Sequence, residues 1–141
     1  MTYISKYLTL EEYRCSCCGE LPPDIDLNNI RNPYAELLDI FDAVRATWGK
    51  PIHVNSGYRC PRHNSSIGGS DCSVHMFGLA LDMDMEDVGD VGELFHLLHM
   101  DFPSLRIGVY TQTGTFVHID TGYRIVPRAS LSWKKGARWY K

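Results

Sequence analysis

The stretch that decides the fold and the chemistry is Ser73-Val-His-Met-Phe-Gly-Leu-Ala-Leu-Asp82, followed further along the chain by Phe116-Val-His-Ile-Asp120. His75, Asp82 and His118 in these stretches offer two imidazoles and one carboxylate. Catalytic zinc sites use three protein ligands, because the fourth position must stay open for water or substrate. Zinc lowers the pKa of such a water to about 7, which supplies hydroxide at neutral pH. The two stretches therefore predict a zinc site suited to hydrolysis.

The seven-residue spacing between His75 and Asp82 predicts how these ligands are displayed. On a helix the two side chains would lie nearly two turns apart, too far to chelate one ion comfortably. The segment 78–84 is apolar and rich in small residues, so we interpret it as a loop that enters a short buried strand. Alternation along that strand places Asp82 on the face opposite the leucines. His118 lies in a β-branched run typical of a second strand, so neighbouring strands would bring the three ligands together.

Three motifs of the chain together resemble a known family. They are Ser-Gly-Tyr-Arg-Cys-Pro-x-His-Asn at residues 56–64, Ser-x-His-x-x-Gly-x-Ala-x-Asp at residues 73–82, and His-x-Asp at residues 118–120. The pattern resembles the zinc D-Ala-D-Ala carboxypeptidases, which form one structural group with phage endolysins and the hedgehog signalling fold. The resemblance extends from about Leu8 to Trp139, nearly the whole chain.

The resemblance implies roles for individual residues of the chain. It assigns Arg59 to holding substrate and stabilising the oxyanion, and it assigns Ser73 to binding the peptide. Tyr58, next to Arg59 in the same motif, is grouped with Ser73 as a substrate-binding residue. The zinc ligands that it implies are His75, Asp82 and His118.

The position of the general base departs from the family pattern. Relatives with a clear base carry Glu or Asp three residues before the last zinc histidine, where this chain has Thr115. Threonine cannot take a proton at neutral pH. Asp120, two residues after His118, shares its strand face by alternation and is our second candidate catalytic residue beside Arg59. Asp120 would act either as the base or as a carboxylate that orients a histidine ligand, and the residues alone leave both roles open.

The resemblance implies a zinc-dependent peptidase that hydrolyses peptidoglycan stem peptides, with one catalytic Zn²⁺ and a peptidoglycan peptide as its partner. One alternative is an endopeptidase of the endolysin type, which cuts inside the stem or the cross-bridge. A second alternative is a zinc-stabilised wall-binding module without catalysis. The missing acid at Thr115 favours this last alternative.

The five cysteines allow three interpretations. An odd count leaves at least one thiol unpaired in any scheme of intrachain disulfides. Cys15, Cys18, Cys60 and Cys72 would make a four-thiolate structural zinc site. Disulfides between the N-terminal segment and the Arg59 loop are the rival, and they need an oxidising compartment. The third interpretation is that most of the thiols are free and buried.

Length and charge agree with one compact enzyme. A chain of 141 residues is one ordinary domain, and its net charge of -3 argues against a nucleic-acid partner. The chain has no apolar run of about 18 residues, so we expect no membrane span. The N-terminus lacks the charged start and apolar core of a secretory signal. We therefore expect a monomer made in the cytoplasm that acts at the cell wall of a bacterium, from a phage or bacterial source.

The remaining patterns predict an α+β fold in which helices pack on a small antiparallel sheet. An amphipathic helix would begin at Asn32-Pro33 and end at Gly49, and a capping box at Asp90 and Glu93 would open a shorter helix. We expect strands at 51–55 and in a hairpin formed by 106–110 and 115–120, and a loop at 64–71. Within the single domain, residues 1–30 form a cysteine-containing N-terminal extension and residues 121–141 a basic, aromatic tail.

Overall fold

A five-stranded sheet organises the computed structural model of this chain, which describes residues 1–125 and 130–141. The strands are β1 (Ile52–Ser56), β2 (Ala80–Met85), β3 (Arg106–Tyr110), β4 (Phe116–Asp120) and β5 (Arg138–Tyr140). The α-helices of the described residues are α1 (Leu10–Tyr13), α2 (Tyr34–Trp48), α3 (Pro61–Ser66) and α4 (Val91–Asp101). The predicted α+β class is confirmed.

The strand order is β1-β2-β4-β3-β5, and the neighbours pair antiparallel except for β3 and β5, which are parallel. The predicted small antiparallel sheet therefore has one parallel pair, at this edge. The fifth strand comes from the tail, in which Trp139 pairs with Gly108. It escaped prediction because three residues are too few to show a period of two.

The two faces of the sheet differ in chemistry because side chains alternate along each strand. One face carries apolar residues that are buried against α2 and α4, including Leu81, Met83, Val117 and Ile119. The other face carries polar residues at directly paired positions. Asp82 pairs with His118, and Ala80 pairs with Asp120. Burial of the apolar face stabilises the strands, which then hold the polar residues in register.

Two helix starts differ from the prediction. The long helix ends as expected at Gly49, which has a left-handed φ of 74°, but its N-cap is Pro33 and makes no side-chain hydrogen bond. Asp90 also makes no capping hydrogen bond, because a 3₁₀ turn precedes α4. The capping box of this chain lies instead at Thr9 and Glu12, which bond reciprocally at the start of α1. A motif of spacing three identifies a capping box only when the backbone before it is extended.

The predicted loop at 64–71 begins later than expected, because α3 extends to Ser66. Cys60 caps this short helix by accepting a hydrogen bond on its thiol from the His63 N–H. The prediction overlooked Pro61, which stands in the first turn of the helix, where proline is favoured.

The N-terminal segment and the tail both pack into the domain. Leu8 and Tyr13 are fully buried in the main apolar cluster, and Trp133 of the tail packs with Val74 and Leu79. Arg128 of the predicted basic tail lies outside the described residues. Among the helices of the described residues, none has the length and apolar character needed to cross a membrane.

Candidate active site

His75 is held by a 3₁₀ turn at Val74–Phe77 that its neighbours define. The Ser73 hydroxyl accepts a hydrogen bond from the His75 N–H at 3.3 Å, which starts the turn. Gly78 ends the turn with φ of 72°, and a Cβ there would lie 2.4 Å from a carbon of Pro22. Glycine is therefore required at this position both by its conformation and by the space available.

Asp82 and His118 meet because they are direct partners across β2 and β4. His118 Nδ1 lies 2.8 Å from Asp82 Oδ1, and His75 Nε2 lies 3.3 Å from Asp82 Oδ2. One ligand atom from each of the three residues lies within 4.8 Å of the other two. The structure thus brings together the three residues that the motifs singled out.

The donor set fits a zinc ion. His75 Nδ1 lies 2.7 Å from the carbonyl oxygen of Gly57, so the ring donates its proton there. Its Nε2 is buried and lies 3.3 Å from Asp82 Oδ2, but with the proton on Nδ1 both of these atoms are acceptors, so neither satisfies the other. A buried nitrogen with a free lone pair is costly unless something binds it. Two imidazoles and one carboxylate match the ligand chemistry of catalytic zinc sites.

Asp120 is fully buried and has both oxygens engaged. Its Oδ1 accepts hydrogen bonds from Arg106 Nε at 2.8 Å and from the Gly122 N–H at 2.9 Å. Its Oδ2 lies 2.6 Å from His118 Nε2, the ring nitrogen that faces away from Asp82. Carboxylates in this position beside a metal-binding histidine fix the tautomer and the orientation of the ring.

The electrostatics of the site follow from this geometry in the metal-free protein. Burial lowers the pKa of His118, but the hydrogen bonds and charges of Asp120 and Asp82 outweigh burial and raise it to about 9. Burial raises the pKa of Asp82, yet His75 and His118 outweigh it and hold this pKa well below the usual range. Burial lowers the pKa of His75. A divalent ion that binds the two histidines must displace the proton of His118.

Arg59 lies beside the ligands on the turn that follows β1. Its Nη2 is 3.6 Å from Asp82 Oδ2, and its Nε donates to the Ser56 hydroxyl at 3.1 Å. Its Nη1 donates to Asn64 Oδ1 at 2.9 Å, and its backbone N–H donates to the His75 carbonyl at 3.1 Å. Burial lowers the pKa of Arg59, and the charge of Asp82 opposes this shift. The guanidinium is thus a fixed, partly buried cation that faces the candidate metal site.

Comparison with known families identifies the chain. Its sequence matches the model of the family described as Peptidase M15 over residues 6–120, more than half of the chain. The chain belongs to the peptidase M15 family. This confirms the resemblance to zinc D-Ala-D-Ala carboxypeptidases, and it makes the chain a zinc metallopeptidase that acts on peptidoglycan at the level of the family. A search of curated proteins found no match.

Two residues predicted to bind substrate in this M15 peptidase occupy different settings. Ser73 is half-buried and uses its hydroxyl oxygen to cap the turn of His75. Tyr58 is only 4 % exposed and packs with Cys15 and Cys60. The surroundings of Tyr58 favour a role in packing beneath the Arg59 turn over direct contact with a peptide.

Several residues that support the M15 site were missed at the level of sequence. Arg106 anchors Asp120, and the Trp139 ring lies 5.4 Å from the His118 ring, centroid to centroid. Gly108 lies between His118 and Trp139 in the sheet, and a Cβ there would stand 2.4 Å from the indole. A glycine inside a predicted strand is a known sign of close approach. That sign was available in the sequence, but the identity of the approaching residue was not.

A second group of metal-type ligands lies near the Arg59 turn. The thiols of Cys15, Cys18 and Cys60 lie within 4.8 Å of one another. Cys72 is exposed and does not belong to this group of described residues, which corrects the predicted set of four. Cys17 is exposed as well. The set of four was one of three interpretations of the cysteines, and the spacing of cysteines along the chain does not show which thiols meet.

Proposed function

We propose that this M15 peptidase is a carboxypeptidase that removes the terminal D-Ala from peptidoglycan stem peptides. The observation that carries the proposal is the Arg59 guanidinium, whose Nη2 lies 3.6 Å from Asp82 in the cluster of metal ligands. A fixed cation at this distance from the reacting point suits a peptide whose free carboxylate lies one residue beyond the scissile bond. Arginine binds carboxylates with two parallel hydrogen bonds. The substrate of an endopeptidase has no terminal carboxylate at this position, so in such an enzyme Arg59 would serve only the developing oxyanion.

The zinc ligands in this proposal are His75 through Nε2, Asp82, and His118 through Nδ1. A zinc ion held there supplies a Lewis acid for the scissile carbonyl and lowers the pKa of water to about 7. The Gly57 carbonyl keeps the proton of His75 on Nδ1, so that Nε2 faces the site. Rigid strands and this turn fix all three ligand atoms before any ion binds.

Asp120 acts as a positioning residue for His118 in this proposal. Its two oxygens already accept from Arg106, from Gly122 and from His118. A carboxylate with these partners is poorly placed to receive a further proton from water, because the partners hold its charge. It keeps the Nε2 proton of His118 in place and leaves Nδ1 for the metal.

Arg59 and Ser73 hold the substrate. A guanidinium has five N–H donors, and Ser56 and Asn64 take two of them. The donors that remain on the side of Asp82 bind the substrate carboxylate or the developing oxyanion. The Ser73 hydroxyl accepts from the His75 N–H, so its own proton is available to a peptide carbonyl.

Digestion of purified muropeptides by the zinc-loaded protein, with products identified by mass spectrometry, tests this proposal. We expect loss of one D-Ala. Internal cleavage would replace the carboxypeptidase by an endopeptidase, and unchanged muropeptides would favour a wall-binding module without catalysis. A matched pair of stem peptides sharpens the test. The peptide with a free C-terminal carboxylate should be cleaved, whereas the same peptide with a C-terminal amide should be a poor substrate, because the amide carries no charge for Arg59.

A further inference from the structure

Three cysteines from two distant parts of the chain converge beside the Arg59 turn. Cys15 and Cys18 follow α1, and Cys60 precedes α3. Their thiols lie within 4.8 Å of one another. Three thiolates around a tetrahedral zinc ion, each at about 2.3 Å, stand about 3.8 Å apart. The cluster therefore needs only small side-chain adjustments to bind such an ion.

The loop that carries Cys15 and Cys18 is a closed turn. The Gly19 N–H donates to the Cys15 carbonyl at 2.8 Å, and the Cys15 N–H donates to the Glu20 carbonyl at 2.9 Å. Gly19 adopts a left-handed φ of 74°, which only glycine takes without strain. The turn folds back on itself and presents both thiols on one side. A Cys-x-x-Cys turn of this kind is the usual half of a structural zinc site.

Backbone N–H groups point at the sulfurs of this cluster. The Cys60 N–H donates to Cys15 Sγ at 3.5 Å, and the His63 N–H donates to Cys60 Sγ at 3.4 Å. Such donors favour thiolates over thiols, and the thiolate is the form that binds metal. The cluster borders a surface depression that gives room for a further ligand from water or protein. Its lining residues are Cys18, Glu20, Cys60, Pro61 and Arg62.

We propose that Cys15, Cys18 and Cys60 bind a second, structural zinc ion that clips the N-terminal segment onto the turn carrying Arg59. This site is separate from the His75, Asp82 and His118 site and has a different chemistry. It takes a soft divalent ion through three thiolates, and its fourth position falls to water or to a protein group at the adjacent depression. The clip explains why a chain with five cysteines places three of them at one point.

The clip acts on residues that position the active site. The Tyr58 N–H donates to the Tyr13 carbonyl at 2.7 Å, and a Cβ on Gly57 would lie 2.5 Å from the same oxygen. Gly57 holds the His75 ring through its carbonyl oxygen. Tyr13 also donates from its hydroxyl to the Gly78 carbonyl at 2.7 Å. The N-terminal segment therefore supports both the Arg59 turn and the His75 turn from behind, and an ion in the cysteine cluster adds an attachment to those that Leu8 and Tyr13 make in the core.

Zinc analysis of the full-length protein, loaded with zinc and desalted, tests the proposal. We expect two zinc ions per chain in the wild type and one in Cys15→Ser and Cys60→Ser. Cys17→Ser and Cys72→Ser are matched controls, because both remove an exposed cysteine from the same segments, and both should keep two. One zinc in the wild type, or two in Cys60→Ser, would overturn the proposal.

Cobalt substitution tests the thiolate ligands by spectroscopy. It needs neither peptidase activity nor a folded cysteine variant. In His75→Ala all five cysteines remain, so cobalt bound there should show the near-ultraviolet charge-transfer absorption of thiolate ligands. Absence of this band in folded His75→Ala would contradict the proposal even if the wild type cleaves peptidoglycan. Thiol titration of the denatured, unreduced protein detects the rival. Five reactive thiols support the clip, whereas a disulfide that includes Cys15, Cys18 or Cys60, located by peptide mapping, overturns it.

Discussion

The two clusters of metal-type ligands in this chain are built in opposite ways. The histidine and aspartate cluster rests on two central strands, where Asp82 and His118 are direct partners. The cysteine cluster joins two loops, and its own packing involves only Cys15, Tyr58 and Cys60 with Cys18 beside them. Strands that are held by an apolar core keep their ligands in place without metal. The cysteine cluster lies on loops that are held by backbone hydrogen bonds and by packing around Tyr58, so a bound ion would add to their rigidity.

The difference suits two separate tasks that zinc would have in this domain. A reactive site needs ligand atoms that are preorganised and a position left open. A structural site contributes the free energy of metal binding to the free energy of folding. Removal of an ion from the His75, Asp82 and His118 site should therefore abolish activity and leave the protein folded. Removal of an ion from the cysteine cluster should loosen the N-terminal segment and affect activity only through the Arg59 and His75 turns.

The largest expected effect is that of His118→Ala. This change should reduce peptide hydrolysis by more than about 10³-fold, since loss of even one transition-state contact costs about 10²–10³-fold. The variant should still fold, because the apolar face of the sheet is untouched, although its melting temperature should fall since Asp82 and Asp120 lose a buried partner. His53→Ala is the control, since His53 lies on β1 with an exposed side chain. If His118→Ala binds no zinc at this site and still has activity near wild type, the assignment of these residues as the active site is wrong.

Asp120→Asn tests whether the carboxylate behind His118 positions the ring or takes a proton. If it positions His118, zinc affinity should fall about 10–100-fold and excess zinc should restore activity. The melting temperature should also fall, because Arg106 loses its charged partner. Equilibrium zinc titration and turnover at high zinc measure both effects, with the exposed Asp39→Asn as control. A loss of about 10²–10⁴-fold in turnover with zinc fully bound would instead make Asp120 the general base.

Arg59→Lys tests the residue that joins the two clusters. Lysine keeps the charge but loses the planar fork that pairs with a carboxylate. A charge-assisted hydrogen bond contributes about 1.5–3 kcal/mol, so turnover should fall about ten- to a hundredfold with little change in folding. Arg62→Lys, exposed on α3, is the control. Activity of Arg59→Lys within about twofold of wild type would place Arg59 outside the active site.

Hydrogen exchange before and after chelation sharpens the comparison of the two clusters directly. Removal of zinc should accelerate exchange of the Gly19 and Tyr58 amides by about tenfold or more, because their hydrogen bonds lie in the clipped loops. Amides of β2 and β4 should keep their protection, since both strands are central in the sheet. Equal acceleration of exchange in loops and strands would show that metal stabilises the whole domain. The proposed difference between the two clusters would then be wrong.

The smallest expected effect concerns the strands beneath the reactive cluster. Gly108→Ala should destabilise the protein by about 1–3 kcal/mol, the usual cost of overpacking, because the new Cβ would stand 2.4 Å from Trp139. Urea denaturation measures the change. Gly92→Ala in α4 is the control: a Cβ at this position would have no neighbouring atom within 4 Å, and alanine favours a helix by about 0.5–1 kcal/mol. An unchanged free energy of unfolding in Gly108→Ala would show that β5 shifts at little cost to accommodate the methyl group.

Local pattern was sufficient for much of this protein. The spacing of His75 and Asp82, and the alternation around His118, predicted ligands on neighbouring strands because side-chain direction follows from backbone period. The amphipathic pattern predicted the long helix up to Gly49 for the same reason. A metal site that includes Cys15 and Cys18 was one of three interpretations of the cysteines, and the structure brings these two thiols together with that of Cys60. Each of these features depends on neighbours within a few residues.

Only the tertiary structure decided which distant groups meet. Cys60 rather than Cys72 completes the thiol cluster, because the Arg59 turn packs on Tyr13 while Cys72 stays exposed. Asp120 has its oxygens occupied because strand register places Arg106 directly opposite. Trp139 reaches His118 because the tail pairs in parallel with β3. Pairing between elements is set by the free energy of packing the whole core. This free energy depends on contacts between distant residues, so it cannot be inferred from a short stretch of sequence.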